Sequence, residues 1–207
     1  MNIHILPIGA YQANCYIIAD EQTLEAMIID PGGQPKKIIE VLEKNHYHVK
    51  YIVVTHGHGD HIGACDAIRD LTKAPLLVHA EDAHMLTDEK ANLSGFVGQS
   101  FAAKAADKTL VDGEQLSVGK QIFTVIHTPG HTAGGICLYT EGHVFTGDTL
   151  FLESIGRSDF PGGDEGALID NIKNKLFTLP EQTVVYPGHG GKTTIAREKI
   201  HNPIVGW

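Results

Sequence analysis

Residues 55–61 have the sequence THGHGDH, in which three histidines and one aspartate fall within six positions. The stretch directly follows Tyr51–Val54, an apolar run of strand length. Glycines alternate with the potential ligands, so the backbone can turn tightly and present several side chains to one point. Imidazole and carboxylate groups together suit zinc, iron or manganese better than calcium. The stretch therefore predicts a metal site at the end of a buried strand.

Three later loops each add one potential ligand in a similar setting. Each lies directly beside a glycine and follows an apolar run that predicts a strand; the three are His131, Asp148 and His189. A single residue of this kind is usually a turn residue. Together with residues 55–61, however, they place five histidines and two aspartates at the ends of four predicted strands. Loops at strand ends commonly converge on one site, so we expect these side chains to meet.

The composition limits the class of protein. The chain has 207 residues, of which 42% are hydrophobic and 20% charged, and its formal net charge is −9. This length predicts one domain over residues 1–207 with a full core. The acidic balance argues against nucleic-acid binding, and no apolar stretch is long enough to cross a bilayer. The N-terminus lacks the basic and apolar regions of a signal peptide, so we expect a cytoplasmic location.

The cysteines and the other histidines are expected to be structural or solvated. Cys15, Cys65 and Cys137 are an odd number at wide spacing, which forms neither a disulfide framework nor a paired metal motif. They are interpreted as small core residues. Eight of the 13 histidines, among them His79 and His84, have no ligand partner at useful spacing.

Strands and helices alternate through two similar halves, roughly residues 1–110 and 111–207. Ile62–Leu71 is predicted as a helix, and Asp164 is a plausible N-cap for a helix that runs to about Phe177. Thr87–Asp107 has no clear period. Helices outside two packed sheets would bury all the apolar faces, although periodicity alone does not establish that arrangement.

The ligand pattern resembles that of the metallo-β-lactamase superfamily: His56-x-His58-x-Asp60-His61, then His131, Asp148 and His189. Within the superfamily it is similar to the glyoxalase II, or hydroxyacylglutathione hydrolase, group. The sequences LPIG at 6–9, QANCY at 12–16, IDPGG at 29–33 and TPGHT at 128–132 are also similar to that group. The resemblance covers essentially the whole chain. It implies an α/β (α+β) fold, a four-layer αββα sandwich with the site at one edge.

The resemblance also implies a role for each ligand residue. One metal would be bound by His56, His58 and His131, the other by Asp60, His61 and His189, with Asp148 bridging both. The expected cofactors are two divalent ions, zinc first, with iron or manganese as alternatives. Asp30 corresponds to a supporting aspartate beneath the metal loop. An Asx-type turn residue before Pro31 explains Asp30 equally well.

The activity implied by the resemblance is hydrolysis of a thioester such as S-lactoylglutathione. A hydroxide shared by the two metals would attack the carbonyl, and one metal would stabilise the oxyanion. Asp60 would orient the hydroxide. A thiol with a pKa of about 8.5 leaves readily as thiolate, so no general acid is assigned. The expected partner is a small-molecule substrate, and the protein is expected to be a monomer or a small homo-oligomer.

Substrate specificity is less well indicated. Glyoxalase II enzymes have a C-terminal helical domain that contacts glutathione, and we expect no such domain here. Arg157 occupies the position of a basic substrate contact, where it either pairs with a substrate carboxylate or is a solvated loop residue. Two substrate tyrosines of the family are replaced by Asp159 and Gly191. The resemblance therefore does not identify glutathione as the thiol.

Other activities remain open at this point. The sequence GRSDF at 156–160 also resembles a stretch in persulfide dioxygenases, which use one iron bound by the equivalents of His56, His58 and His131. Lactone or other ester hydrolysis is a further alternative within the superfamily. A purely structural metal site is disfavoured, because structural zinc sites are usually closed four-ligand sets and the bridging Asp148 implies an open position.

Overall fold

The first half of the chain forms a six-stranded sheet whose strands lie side by side in chain order. The computed structural model describes residues 1–206, apart from the side chain of Val97; Trp207, the last residue of the predicted domain, lies outside them. The first three strands are antiparallel, and the next three continue the sheet in parallel. The strands are β1 (Asn2–Ile8), β2 (Ala13–Ala19), β3 (Glu25–Ile29), β4 (His48–Val53), β5 (Leu76–His79) and β6 (Lys108–Leu110).

The second half forms a sheet of similar size. The strands of this half of the chain are β7 (Gln115–Val118), β8 (Gln121–His127), β9 (Ile136–Thr140), β10 (His143–Gly147), β11 (Leu150–Phe151), β12 (Ser154–Ile155), β13 (Val184–Pro187) and β14 (Thr193–Thr194). Six of them form the sheet, in the order β14-β13-β10-β9-β8-β7. β11 and β12 form a separate two-stranded sheet. β10 and β13 are parallel, so both end at the same edge.

Helices connect the strands and cover the sheets. They are α1 (Pro35–Asn45), α2 (Gly59–Ile62), α3 (Cys65–Thr72), α4 (Ala83–Thr87), α5 (Glu165–Asn174) and α6 (Ile195–His201). Short 3₁₀ turns lie at Ala80–Asp82, Ser94–Val97 and Leu176–Thr178. Within residues 1–206, none of these helices has both the length and the apolar composition needed for a membrane span.

Strand β2 shows how the layers are held together. All seven of its residues are buried, and successive side chains of a strand point to opposite faces. Cys15 and Ile17 belong to the core beneath α1 and α3, whereas Tyr16 and Ile18 belong to the core between the sheets. Both faces of the first sheet are therefore covered.

The second sheet is covered in the same way. Phe123 and Phe145 point into the core between the sheets. Val144 faces outward and packs with Leu168 and Ile172 of α5. The order of layers is helix, sheet, sheet, helix, which confirms the predicted four-layer αββα sandwich.

The prediction of one continuous helix over Ile62–Leu71 is wrong, because two helices, α2 and α3, occupy this region. A Cβ at Gly63 would lie 2.5 Å from the carbonyl oxygen of Gly32, and Ala64 N donates to Pro31 O at 2.7 Å. The backbone at Gly63 and Ala64 therefore packs closely against the turn that follows β3. The sequence pattern of one segment contains no information about this distant contact.

Two other local predictions agree with the structure. Asp164 Oδ1 accepts a hydrogen bond from Ala167 N at 2.9 Å and caps α5, although the α-helix ends at Asn174 and a 3₁₀ turn follows. All three cysteines are free and buried. Burial raises the pKa of the Cys137 thiol to about 11.

Candidate metal centre

The structure brings all seven predicted ligand side chains to one edge of the sandwich. The segment that follows β4, which includes α2, supplies four of them, and the loops after β8, β10 and β13 each supply one. These strand ends lie together because the two sheets pack face to face. The potential ligand atoms form three overlapping groups: His56, His58 and His131; His56, His61 and Asp148; Asp60, His61 and His189.

The first group consists of three buried histidines, His56, His58 and His131, whose potential ligand atoms all lie within 4.8 Å of one another. His58 Nδ1 and His131 Nε2 are 2.9 Å apart. Burial, reinforced by the neighbouring His131, lowers the pKa of His58 to about 3. Burial likewise lowers the pKa of His56 well below its ordinary value. Neutral imidazoles keep a lone pair free, which is the form that binds metal.

The second group contains Asp60, His61 and His189. His189 Nε2 lies 3.3 Å from Asp60 Oδ2 and 3.3 Å from His61 Nε2. Burial disfavours a charged His61, but the negative charges of Asp148, Asp60 and Asp30 outweigh it and raise the pKa of His61 to about 10. These carboxylates create a negative field at His61 that would favour a metal cation in place of the second proton of the ring.

Asp148 lies between the two groups. Its Oδ1 is 3.5 Å from His61 Nε2, while its Oδ2 is 3.6 Å from His131 Nε2 and 3.6 Å from His189 Nε2. One carboxylate thus faces imidazole nitrogens of both groups, which is the position a bridging ligand needs.

Two buried atoms show that the site fits a metal. His56 Nε2 and Asp148 Oδ1 are buried and have no hydrogen-bond partner among the described residues. A buried polar atom left without a partner costs about 1–3 kcal/mol. Both atoms are nitrogen or oxygen donors of the kind that zinc, iron and manganese accept, so bound cations would satisfy them.

The outer nitrogens of three histidines are hydrogen-bonded away from the centre. His61 Nδ1 lies 3.0 Å from Asp30 Oδ2, and His131 Nδ1 donates to the carbonyl oxygen of Arg157 at 2.6 Å. His189 Nδ1 donates to the carbonyl oxygen of Tyr11 at 3.1 Å. A donating Nδ1 leaves the Nε2 lone pair directed at the centre, so these contacts orient the rings.

Asp30 makes contacts well beyond those of a turn residue. It is buried, and its carboxylate also accepts hydrogen bonds from Thr55 N at 2.7 Å and Thr55 Oγ1 at 2.6 Å. Asp30 therefore connects the turn after β3 with His61 and with the residue before His56.

Asp82 is a comparable residue that sequence reasoning missed. It is fully buried, and its Oδ2 accepts hydrogen bonds from Gly57 N at 3.0 Å and Thr132 Oγ1 at 2.7 Å. Its Oδ1 accepts from Gly134 N at 2.6 Å. The carboxylate thus joins the backbone between His56 and His58 to the residue beside His131. No local motif marks Asp82, because its partners come from distant loops.

Asp82→Asn is expected to lower metal affinity at the three-histidine group by about 10–100-fold, the usual effect of losing a residue that orients ligands. The amide can accept on one side only, and its NH₂ would face an N–H or O–H donor on the other. Competition for zinc against a chelator measures the effect. Asp88→Asn is the matched control, since Asp88 also accepts two backbone N–H bonds but is exposed. Equal affinity losses in both variants would contradict this role.

A cavity of about 420 Å³ opens onto the ligand cluster. Five ligand residues form its floor, and the walls contain Tyr11, Asn92, Leu93, Phe96, Arg157 and Phe160. Arg157 thus lines the cavity, with a side chain that is 57% exposed. Asn92, Leu93 and Phe96 come from the segment whose sequence showed no clear period. The sequence pattern could not identify these wall residues, because no local motif in the segment indicates that it folds over the site.

Comparisons with known proteins agree with this geometry. Residues 8–189 match the family model described as the metallo-beta-lactamase superfamily. A Bacillus subtilis relative named probable metallo-hydrolase YqgX is 37% identical, covering 97% of this chain and 95% of the relative. A Haemophilus influenzae relative named hydroxyacylglutathione hydrolase GloC is 36% identical, covering 99% and 98%.

Solved structures include several with the same fold. BLEG-1, described as a B3 metallo-beta-lactamase, has a TM-score of 0.94 and 40% identity, covering 99% of each chain. ETHE1 from Myxococcus xanthus has a TM-score of 0.84 and 32% identity, covering 99% of this chain and 85% of that one. TTHA1623, solved in a di-iron-bound form, has a TM-score of 0.87 and 32% identity, covering 97% and 98%.

The superfamily binds divalent metals, and the groups described above are side chains that could hold them. The chain therefore belongs to the metallo-β-lactamase superfamily, as a metal-dependent hydrolase.

Proposed function

We propose that this protein hydrolyses thioesters at a dinuclear metal site in which Asp148 bridges the two metals. The observation that carries the proposal is the position of Asp148 between two ligand groups at the floor of a cavity. In this proposal, His56, His58 and His131 hold one cation, and Asp60, His61 and His189 hold the other. Two cations held by these residues would lower the pKa of a bound water and polarise a carbonyl oxygen.

The protein's own residues supply the remaining requirements. Asp60 lines the cavity with 18% of its side chain exposed, so it can accept a hydrogen bond from the attacking water and orient it. Burial raises the pKa of the thiol at Cys15, Cys65 and Cys137, which argues against a cysteine nucleophile. Direct attack by water is therefore the favoured route.

A thioester suits this cavity because its leaving group needs no proton donor. A thiol with a pKa of about 8.5 departs as thiolate at neutral pH. No lysine lines the cavity within the described residues, and the histidines that line it are all proposed as metal ligands. The GloC relative, whose name denotes a hydroxyacylglutathione hydrolase, supports a hydroxyacyl thioester as the substrate class. Other esters and lactones share the same attack chemistry.

The test is metal analysis combined with a substrate panel on one preparation. The panel contains S-lactoylglutathione, simple thioesters, a lactone and a β-lactam. We expect about two metals per chain, as a two-metal site requires, and release of free thiol from at least one thioester. Full metal loading with no thioester cleaved would rule the proposal out.

A mononuclear iron oxygenase acting on persulfides is the second candidate. The buried three-histidine group and the similarity to ETHE1 favour it. This candidate predicts one iron per chain and oxygen consumption with glutathione persulfide. An oxygen electrode and the same metal analysis separate it from hydrolysis.

A further inference from the structure

The wall of the cavity is largely apolar. Apart from the proposed ligands, it consists of three aromatic side chains, one leucine, one asparagine and one arginine. Phe96, at the rim, is 70% exposed. Among the described residues that line the cavity, Arg157 is the one permanently cationic side chain. Arg157 is therefore the wall residue that would pair with an anionic group on a substrate.

Arg157 already has an anionic partner. Its Nε donates to Asp159 Oδ1 at 2.7 Å and its Nη2 donates to Asp159 Oδ2 at 2.7 Å, a bidentate pair. The guanidinium carbon also lies 3.9 Å from the centre of the Phe160 ring. Hydrogen bonds from Arg157 lower the pKa of Asp159 to about 2, so Asp159 is charged at neutral pH.

The pair has no net charge and occupies the Nε–Nη2 edge of the guanidinium, one of the two edges that can hold a carboxylate through two N–H donors. A substrate carboxylate would have either to displace Asp159 or to bind the Nη1–Nη2 edge close to it, and in both places like charges repel. An uncharged substrate meets neither obstacle and can pack against Phe160 and Phe96. Both side chains of the pair are more than half exposed, so displacement is possible but unfavourable.

We propose that Asp159 sets the charge selectivity of this cavity, so that it favours thioesters whose acyl and thiol parts are uncharged over anionic ones. The proposal rests on the proposed thioester hydrolysis and names its substrate class. Asp159 acts as a specificity-determining residue through Arg157. It makes no contact with the ligand cluster among the described contacts.

The kinetic test compares two thioesters that differ in one group: the acetyl thioester of 3-mercaptopropionic acid and that of its primary amide. We measure the ratio of kcat/KM for the acid to kcat/KM for the amide. Wild type is expected to prefer the amide. Asp159→Asn is expected to raise the ratio about two- to fivefold, the range expected for a weak exposed ion pair.

Two further variants identify the cause. Asp70→Asn removes an equally exposed carboxylate that pairs with Lys104 outside the cavity, so the ratio should stay at the wild-type value. Arg157→Met in the Asp159→Asn background keeps an unbranched side chain beside Phe160 but removes the cation. It should cancel most of the gain, because the attraction to Arg157 is lost. If the double variant kept the full increase in the acid-to-amide ratio, the increase would come from the loss of repulsion by Asp159 alone. That result would overturn the role given to Arg157.

A binding measurement keeps this test independent of hydrolysis. Calorimetry of the metal-loaded protein uses the S-hexyl thioethers of the same acid and amide, which contain no bond to hydrolyse. Tighter binding of the amide by wild type and a shift toward the acid in Asp159→Asn would support the selectivity even if no thioester were cleaved. An unchanged preference in Asp159→Asn, by kinetics or by calorimetry, would overturn the proposal.

Discussion

Asp148→Ala is expected to lose at least one of the two bound metals and to reduce thioester hydrolysis by at least about a hundredfold. The Asp148 carboxylate lies 3.5–3.6 Å from imidazole nitrogens in both ligand groups. Its removal leaves no shared ligand, and it takes one negative charge from a cluster that needs cations. Asp148→Asn keeps the size and one oxygen of the side chain, so it should retain more metal than the alanine variant.

Elemental analysis and thiol release on the same samples measure both effects. His84→Ala is the matched control, because His84 is exposed and its ring nitrogen contacts only the carbonyl oxygen of Glu81 among the described hydrogen bonds. That variant should keep wild-type metal content and activity. Full metal content and activity in Asp148→Ala would exclude a bridging role.

Asp30→Asn is expected to lower the free energy of unfolding by about 3–5 kcal/mol, the usual effect of breaking a buried charged contact, and to weaken metal binding. The Asp30 carboxylate accepts from Thr55 N and Thr55 Oγ1 and contacts His61 Nδ1. An amide has one acceptor oxygen, so its NH₂ would face a buried donor. Asparagine tolerates the positive φ of 51° at this position, so the backbone itself should not be strained.

Urea denaturation of the metal-free protein isolates the stability effect, and a chelator competition isolates metal affinity. Asp20→Asn serves as the comparison, because Asp20 is also buried and accepts from Gln22 N and Thr23 N. Asp20 follows β2 at the edge opposite to the ligand loops, so its variant should lose stability without losing metal affinity. If Asp30→Asn kept wild-type metal affinity, its proposed role in orienting His61 would be wrong.

The ligand cluster could be predicted from the sequence because each ligand lies in a short segment whose own residues identify it. Residues 55–61 concentrate imidazole and carboxylate ligands after an apolar strand, and the three later ligands repeat that arrangement. Strand ends on packed sheets lie at common edges, so donors placed there can meet. The burial of the cysteines and the capping role of Asp164 were predictable for the same reason, since both follow from residue type and spacing.

Other features depend on contacts between distant parts of the chain. Asp82 contacts Gly57 across 25 residues and Thr132 across 50, and the break at Gly63 follows from contact with the turn at Pro31. The direction in which Arg157 and Asp159 face is likewise decided by the fold. The sequence by itself determined the donor chemistry and the strands that carry it, because both follow from residue type and local periodicity. Only the tertiary structure decided which buried carboxylates orient the ligands and which side chains wall the cavity, because these depend on how the loops pack together.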